Sequence, residues 1–97
     1  EYEKTLSNKV NETLRLIILA QNEFYQRDIE GAFKYVNESL KLFETAQGYA
    51  LKGSLYYLKG NKIEAQQSWD KAIRFNPDIF IPDVEVLDQL IKTEFMD

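Results

Sequence analysis

The chain matches itself when it is shifted so that Leu16 falls on Tyr49, and this internal repeat restricts its fold more than any other feature. Paired positions carry related side chains in the two copies: Leu16 and Tyr49, Ala20 and Gly53, Phe24 and Tyr57, Asp28 and Asn61, Ala32 and Ala65, Val36 and Trp69, Ser39 and Ala72, Leu40 and Ile73. Each copy has the pattern of a helix, a tight turn and a second helix. Repeats of this length are typical of proteins in which helical pairs stack and bury a continuous core.

The spacing of apolar residues predicts helices through both copies and beyond them. Residues 1–75 contain no proline breakers and can therefore be largely helical. The predicted helices span about residues 8–26 (with the same spacing continuing back to Tyr2), 29–43, 46–59, 61–75 and from Pro82 onward. Asp28 and Asn61 are the predicted N-caps of two of them, and Glu64 completes a capping-box pattern with Asn61.

The same periodicity predicts which side of four of these helices faces the core. On the first helix the predicted stripe is Leu14, Ile17, Ile18, Gln21, Phe24 and Tyr25. On the later helices it is Ala32, Val36, Leu40 and Phe43, then Ala65, Trp69, Ala72 and Ile73, and finally Val84, Leu87, Leu90, Ile91 and Phe95. Apolar residues at these intervals form one buried face of an amphipathic helix. Between the last two helices, Ile79-Phe80-Ile81 is predicted to be extended or irregular.

The second copy has a sequence pattern that points to a known family. Its aromatic, small, aromatic, turn glycine, alanine, aromatic, alanine and proline positions are Tyr49, Gly53, Tyr56, Gly60, Ala65, Trp69, Ala72 and Pro77. Residues 46–79 thereby resemble a tetratricopeptide repeat (TPR). Residues 13–45 resemble a degenerate copy, which departs from the pattern at Glu23, Arg27, Ser39 and Glu44. In the second copy, Lys52 stands where the family usually has leucine.

The resemblance implies an all-α fold. We expect a single TPR-like domain over residues 1–97, with two helix-turn-helix repeats (13–45 and 46–79) stacked in a right-handed superhelix. Residues 1–12 then extend the first helix, and residues 80–97 form a C-terminal capping helix. Because the only methionine is Met96 and the first helix runs back toward Tyr2, we also expect the chain to be part of a longer protein.

The resemblance also implies a binding surface, because the first helix of each TPR lines a concave face. The alignment places eight residues on or beside this face: Ile17, Gln21, Phe24, Tyr25, Ala50, Ser54, Tyr57 and Leu58. None of them is Lys or Arg, so the basic cluster with which some TPR proteins bind a peptide carboxylate is not expected. An apolar groove suits an amphipathic helix or an extended apolar peptide instead. Phe24, Tyr25 and Tyr57 are the expected anchors. The alternative is that the last helix of the chain itself fills this surface.

Composition excludes several function classes. The chain has no histidine and no cysteine, which removes zinc sites of the N/S type, haem ligation by those residues, iron–sulfur clusters and the Ser-His-Asp and Cys-His nucleophiles. No cofactor and no enzyme activity are therefore expected. The net charge is −4 and the basic residues are scattered, which argues against nucleic acid. The longest apolar run, residues 16–20, is far below the ~18 residues of a membrane span.

Some side-chain pairs invite a chemical interpretation but lack the context of a site. The carboxylate pairs Glu1/Glu3 and Asp83/Glu85 have no EF-hand spacing and belong to no cluster of oxygen ligands, so solvated helix faces are expected. The pairs Lys52/Ser54 and Ser68/Lys71 do not lie in a recognisable nucleophile turn. A chain without cysteine suits reducing and oxidising compartments alike, so localisation stays open.

The expected function is therefore a non-enzymatic protein–protein interaction module, a scaffold or adaptor that binds an apolar or amphipathic segment of a protein or peptide partner. Two alternatives remain. The chain self-associates as a structural homo-oligomer, or it is an accessory domain of a larger catalytic protein whose chemistry lies elsewhere.

Overall fold

The computed structural model describes the backbone of residues 2–95 and the side chains of residues 7–93. Five helices form in this part of the chain: α1 (Tyr2–Tyr25), α2 (Ile29–Leu42), α3 (Ala46–Leu58), α4 (Lys62–Phe75) and α5 (Val84–Leu90), the last continued by a π-helical turn, Ile91–Phe95. α1 packs antiparallel on α2, and α3 packs antiparallel on α4. Contacts of α2 with α3 join the pairs, and α5 packs on α3. The predicted all-α fold is confirmed.

The two helix pairs turn in the same way. Arg27 (φ 68°) and Gly60 (φ 87°), which occupy equivalent positions of the two copies, both adopt a left-handed backbone conformation. In each turn the amide of the next residue donates to a carbonyl five positions back, at 2.8 Å in the first copy and 2.9 Å in the second. These bonds satisfy carbonyl groups that the helix end leaves open. Arg27, a departure from the family pattern in sequence, thus takes the same conformation as the turn glycine.

Side-chain caps differ between the copies although their backbones agree. Asp28 caps α2 as predicted, its carboxylate accepting from the Gly31 amide at 3.0 Å. The capping box predicted at Asn61 is wrong, since its side chain makes no capping hydrogen bond to α4. Both residues have nearly the same φ and ψ, so the difference lies in the side chains. A carboxylate accepts a stronger, charge-assisted bond than the neutral amide of an exposed asparagine. Thr45, which was not predicted as a cap, accepts from the Gly48 amide at 3.0 Å.

The helix pairs have equivalent cores filled by different side chains. In the second pair, the buried indole of Trp69 lies directly on Gly53, and a Cβ atom added there would overlap the ring. Trp69 Nε1 also donates to the carbonyl of Ala50 at 3.1 Å. In the first pair, the equivalent positions hold the buried Ala20 and Val36, which belong to one cluster. A large residue opposite glycine in the second pair is thus replaced by a smaller residue opposite alanine in the first, so that both contacts can stay densely packed.

The predicted core face of α1 is partly wrong. Its buried residues are Thr13, Leu16, Ile17 and Ala20, whereas Leu14 and Ile18 are 46% and 57% exposed. The run of apolar residues at 16–20 fits two stripes about 100° apart, so periodicity alone did not separate them. Two later assignments also fail, because Ile73 and Val84 are exposed. The side chain of Phe95 and the positions of Glu1 and Met96 lie outside the described residues.

Candidate apolar groove

An open groove of about 550 Å³, here called the apolar groove, lies between α1, α3 and the segment that follows α4. Its lining comes from three parts of the chain that are distant in sequence. α1 contributes Gln21, Phe24 and Tyr25, α3 contributes Gln47, Ala50, Leu51 and Ser54, and the C-terminal part contributes residues 79–83 with Val86, Leu87 and Leu90. Asp83 is the one charged residue among them.

The wall after α4 is the non-helical segment that connects α4 to α5. Asn76 holds its start, because its carbonyl accepts from the Ile79 amide and its side-chain oxygen accepts from the Asp78 amide, both at 3.0 Å. Ile79 and Ile81 pack against the cluster around Ala50 and Ala72. Phe80, between them, is 79% exposed. Both isoleucines are thus anchored in the core, whereas Phe80 between them stays exposed at the edge of the groove.

The next wall is α5, which is fixed to α3 and α4 through one buried leucine. Leu87 is 2% exposed and packs with Tyr57 and Trp69, whose rings stack with centroids 5.9 Å apart. The Tyr57 hydroxyl donates to Asp88 Oδ1 at 2.9 Å, and this hydrogen bond raises the pKa of Tyr57 above its usual value. α5 therefore covers the end of the predicted concave face where Tyr57 lies.

The rim of the apolar groove carries exposed aromatic side chains. Tyr25 is 70% exposed and makes an edge-to-face contact with Phe24, their ring centroids 5.9 Å apart. Phe80 lines the groove together with them. Large aromatic rings that stay in water beside an apolar groove are typical of a surface that binds another molecule, because burying them on binding is favourable.

The eight residues predicted from sequence divide into two groups. Gln21, Phe24, Tyr25, Ala50 and Ser54 line the apolar groove. Ile17 and Tyr57 are buried in the core, and Leu58 is half-buried in the cluster around Leu87. The chain's own last helix thus fills the part of the surface near Tyr57 and leaves the part near Tyr25 open.

Sequence reasoning did not find the groove residues outside α1 and α3. Phe80 and Val86 are both exposed and line the groove, but neither was a candidate. One sequence feature could have indicated Phe80. It lies in an apolar triplet between two prolines, outside any helical period, and such a segment must pack extended against another element or remain exposed.

The described residues offer little for other chemistry. Among their side chains, no group of three or more acidic, histidine or cysteine residues could hold a metal ion. No helix within residues 2–95 has both the length and the apolar character to cross a membrane. Comparison of the chain with protein-family models, with curated proteins and with solved structures finds no match. The apolar groove is therefore interpreted from its own geometry.

Proposed function

We propose that this chain is a TPR-like, non-enzymatic interaction module that binds an apolar or amphipathic segment of a partner protein in the apolar groove. The observation that carries the proposal is the open groove with Tyr25 and Phe80 exposed at 70% and 79% on its lining. The equal turns and the equivalent cores of the two copies support a repeat architecture of the TPR kind.

The lining favours a polypeptide segment over a charged small molecule. Apolar side chains such as Leu51 and Leu90 offer contacts to aliphatic or aromatic side chains of a ligand. The exposed amides of Gln21 and Gln47 are available to a peptide backbone. Asp83 gives the groove a negative charge, so a partner segment with a Lys or Arg beside its apolar residues is the best match.

Loss of either rim aromatic is expected to weaken partner binding. Peptides selected from a random display library for binding to the parent protein should bind Tyr25→Ala and Phe80→Ala about 10- to 30-fold more weakly, as expected for buried aromatic anchors. The dissociation constants are measured by fluorescence anisotropy. Both side chains are largely exposed in the free protein, so circular dichroism should show unchanged helicity.

A matched control comes from Ile63, an exposed apolar residue on α4 that does not line the groove. Ile63→Ala should bind the selected peptides as the parent does. If the peptides bind Phe80→Ala as tightly as the parent, or lose affinity equally for Ile63→Ala, the groove is not their binding site.

A second candidate function, self-association, is favoured by α1. The helix has 24 residues against 14 in α2, and residues 7–11 at its start are exposed. Val10, Leu14 and Ile18, spaced four residues apart, form an exposed apolar stripe along it. Such a stripe can pack against its own copy in an antiparallel helix pair.

Sedimentation velocity over a range of concentrations tests this candidate. If the stripe forms a dimer interface, the parent protein should show a dimer that Leu14→Glu combined with Ile18→Glu converts to monomer, because charged residues would be buried unpaired. A parent that stays monomeric at every concentration removes the candidate, whereas the peptide-binding prediction is unaffected.

A further inference from the structure

A second cavity, here called the basic cleft, opens between α3 and α4 with a volume of about 330 Å³. Lys52 of α3 and Lys71 and Arg74 of α4 line it. It lies on the side of α3 away from the apolar groove, since Lys52 is two residues from Ala50 in a helix that turns about 100° per residue. The two cavities are therefore separate surfaces of the molecule.

The three cations of the basic cleft have no carboxylate partner among the side chains that the structure describes. No carboxylate oxygen of the described residues lies within 4.0 Å of the charged nitrogen atoms of Lys52, Lys71 or Arg74. The two ammonium groups instead lie near tyrosine rings, Lys52 Nζ 5.9 Å from the centroid of Tyr56 and Lys71 Nζ 5.3 Å from that of Tyr49. Burial and, to a smaller extent, the charge of Lys71 lower the pKa of the half-buried Lys52. The charge of the exposed Lys71 thus opposes that of the partly desolvated Lys52.

A largely buried serine faces the same space. Ser68 is more than nine-tenths buried and lines the basic cleft, and its hydroxyl makes no hydrogen bond to any described residue. The hydroxyl oxygen is not fully enclosed, because the one fully buried oxygen without a partner among the described side chains is Thr13 Oγ1. Ser68 can therefore donate to an acceptor that enters the cleft from outside the chain.

The first repeat shows that the lysine is not needed for the fold. The residue equivalent to Lys52 is Leu19, which is half-buried on α1 in the other helix pair. The residues equivalent to Ser68 and Lys71 are Tyr35 and Glu38, so the first pair has no comparable cluster. An apolar side chain suits this place in the helix pair, and the charge in the second copy calls for another explanation.

We propose that the basic cleft binds one oxyanion, a phosphate or carboxylate group, between Lys52 and Lys71, with the Ser68 hydroxyl as an additional donor. Charge-assisted hydrogen bonds to the anion would replace the repulsion between the ammonium groups. Glu64 and Asp70 also line the cleft, which leaves its lining with a single net positive charge. This balance restricts the ligand to a single anionic group and disfavours a polyanion such as nucleic acid.

Titration with inorganic phosphate and, separately, with acetate tests the proposal by NMR of the lysine side chains at constant ionic strength. The Cε–Hε signals of Lys52 and Lys71 should shift and saturate with at least one of the two anions, and the anion that binds tighter identifies the group preferred. Lys9, exposed on α1, should show only the small linear shift of a solvated lysine.

Two variants keep the test decisive. Lys52→Leu, which copies Leu19, and Lys71→Gln should each weaken binding about tenfold or more, as expected for loss of a charged donor. Lys9→Gln should leave it unchanged. If neither anion saturates the Lys52 and Lys71 signals, or if both variants bind as the parent does, the cleft is no oxyanion site.

Discussion

Replacing Trp69 with alanine is expected to lower the free energy of unfolding by about 3–5 kcal/mol, the usual cost of removing a large buried aromatic side chain. The indole covers Gly53, stacks on Tyr57 and donates to the carbonyl of Ala50 at 3.1 Å, so one substitution removes three interactions. Small domains are stable by only about 5–15 kcal/mol, and the variant should therefore be near its unfolding threshold. Urea denaturation followed by far-UV circular dichroism measures the difference.

The matched control for Trp69→Ala is Ile63→Ala on the same helix, which removes an exposed apolar side chain. It should change the free energy of unfolding by less than about 0.5 kcal/mol. A comparable loss in the control would mean that the cost reflects α4 as a helix and not the packing of the indole.

A double-mutant cycle tests why Trp69 matters. Gly53→Ala alone should destabilise by about 1–3 kcal/mol, because the added methyl group overlaps the indole. Gly53→Ala together with Trp69→Val copies the Ala20 and Val36 pair of the first repeat. The double variant should be more stable than the sum of the two single changes allows, by about 1 kcal/mol. Strict additivity would contradict a shared volume between these residues.

The repeat added core positions on α1 that hydrophobic periodicity left out. Leu16 and Ala20 were matched with Tyr49 and Gly53 by aligning the two copies, and both are buried although neither belongs to the predicted stripe of α1. When both copies have a residue suited to the core at equivalent positions, the prediction that the position is buried rests on two helix pairs and not on one. Periodicity, by contrast, put Leu14 and Ile18 on the core face of α1, whereas the structure leaves both exposed.

The candidate site was predictable only in part, because it depends on where the C-terminal segment packs. Phe24 and Tyr25 were predicted from the alignment with the TPR pattern, and both line the apolar groove. α5 covers Tyr57 because the Tyr57 hydroxyl donates to Asp88, 31 residues later in the chain, and because Leu87 is buried in the cluster that contains Tyr57. The segment that connects α4 to α5 shows no periodic pattern and no match in the repeat. The sequence therefore did not predict where α5 packs.

The turn at Arg27 and the N-cap at Asn61 show where rules based on single residue types fail to predict local structure. Arg27 adopts a left-handed conformation that a glycine would adopt more readily, yet the flanking helices impose the same turn on both residues. Asn61 satisfies the sequence rule for an N-cap but makes no capping bond. At the first turn the packing of the helices overrides the preference of the single residue, whereas at Asn61 the weaker acceptor of a neutral amide accounts for the missing bond.

The other large effect is expected at Leu87, where α5 is anchored. Leu87→Ala should cost about 2–5 kcal/mol, because it opens a cavity beside Trp69 and Tyr57 in a place that is 2% exposed. Thermal or urea unfolding measures the cost. Since Leu87 also lines the apolar groove, the variant should lose affinity for the selected peptides under conditions in which it remains folded.

Val86 is the matched control for Leu87, since it precedes it on α5, lines the same groove and is 55% exposed. Val86→Ala should leave the free energy of unfolding within about 0.5 kcal/mol of the parent, and should weaken peptide binding only through the contact it removes. Equal destabilisation by the two changes would contradict the assignment of Leu87 as the anchor. Stability loss in Leu87→Ala without loss of peptide affinity would show that α5 supports the core but is no wall of the binding site.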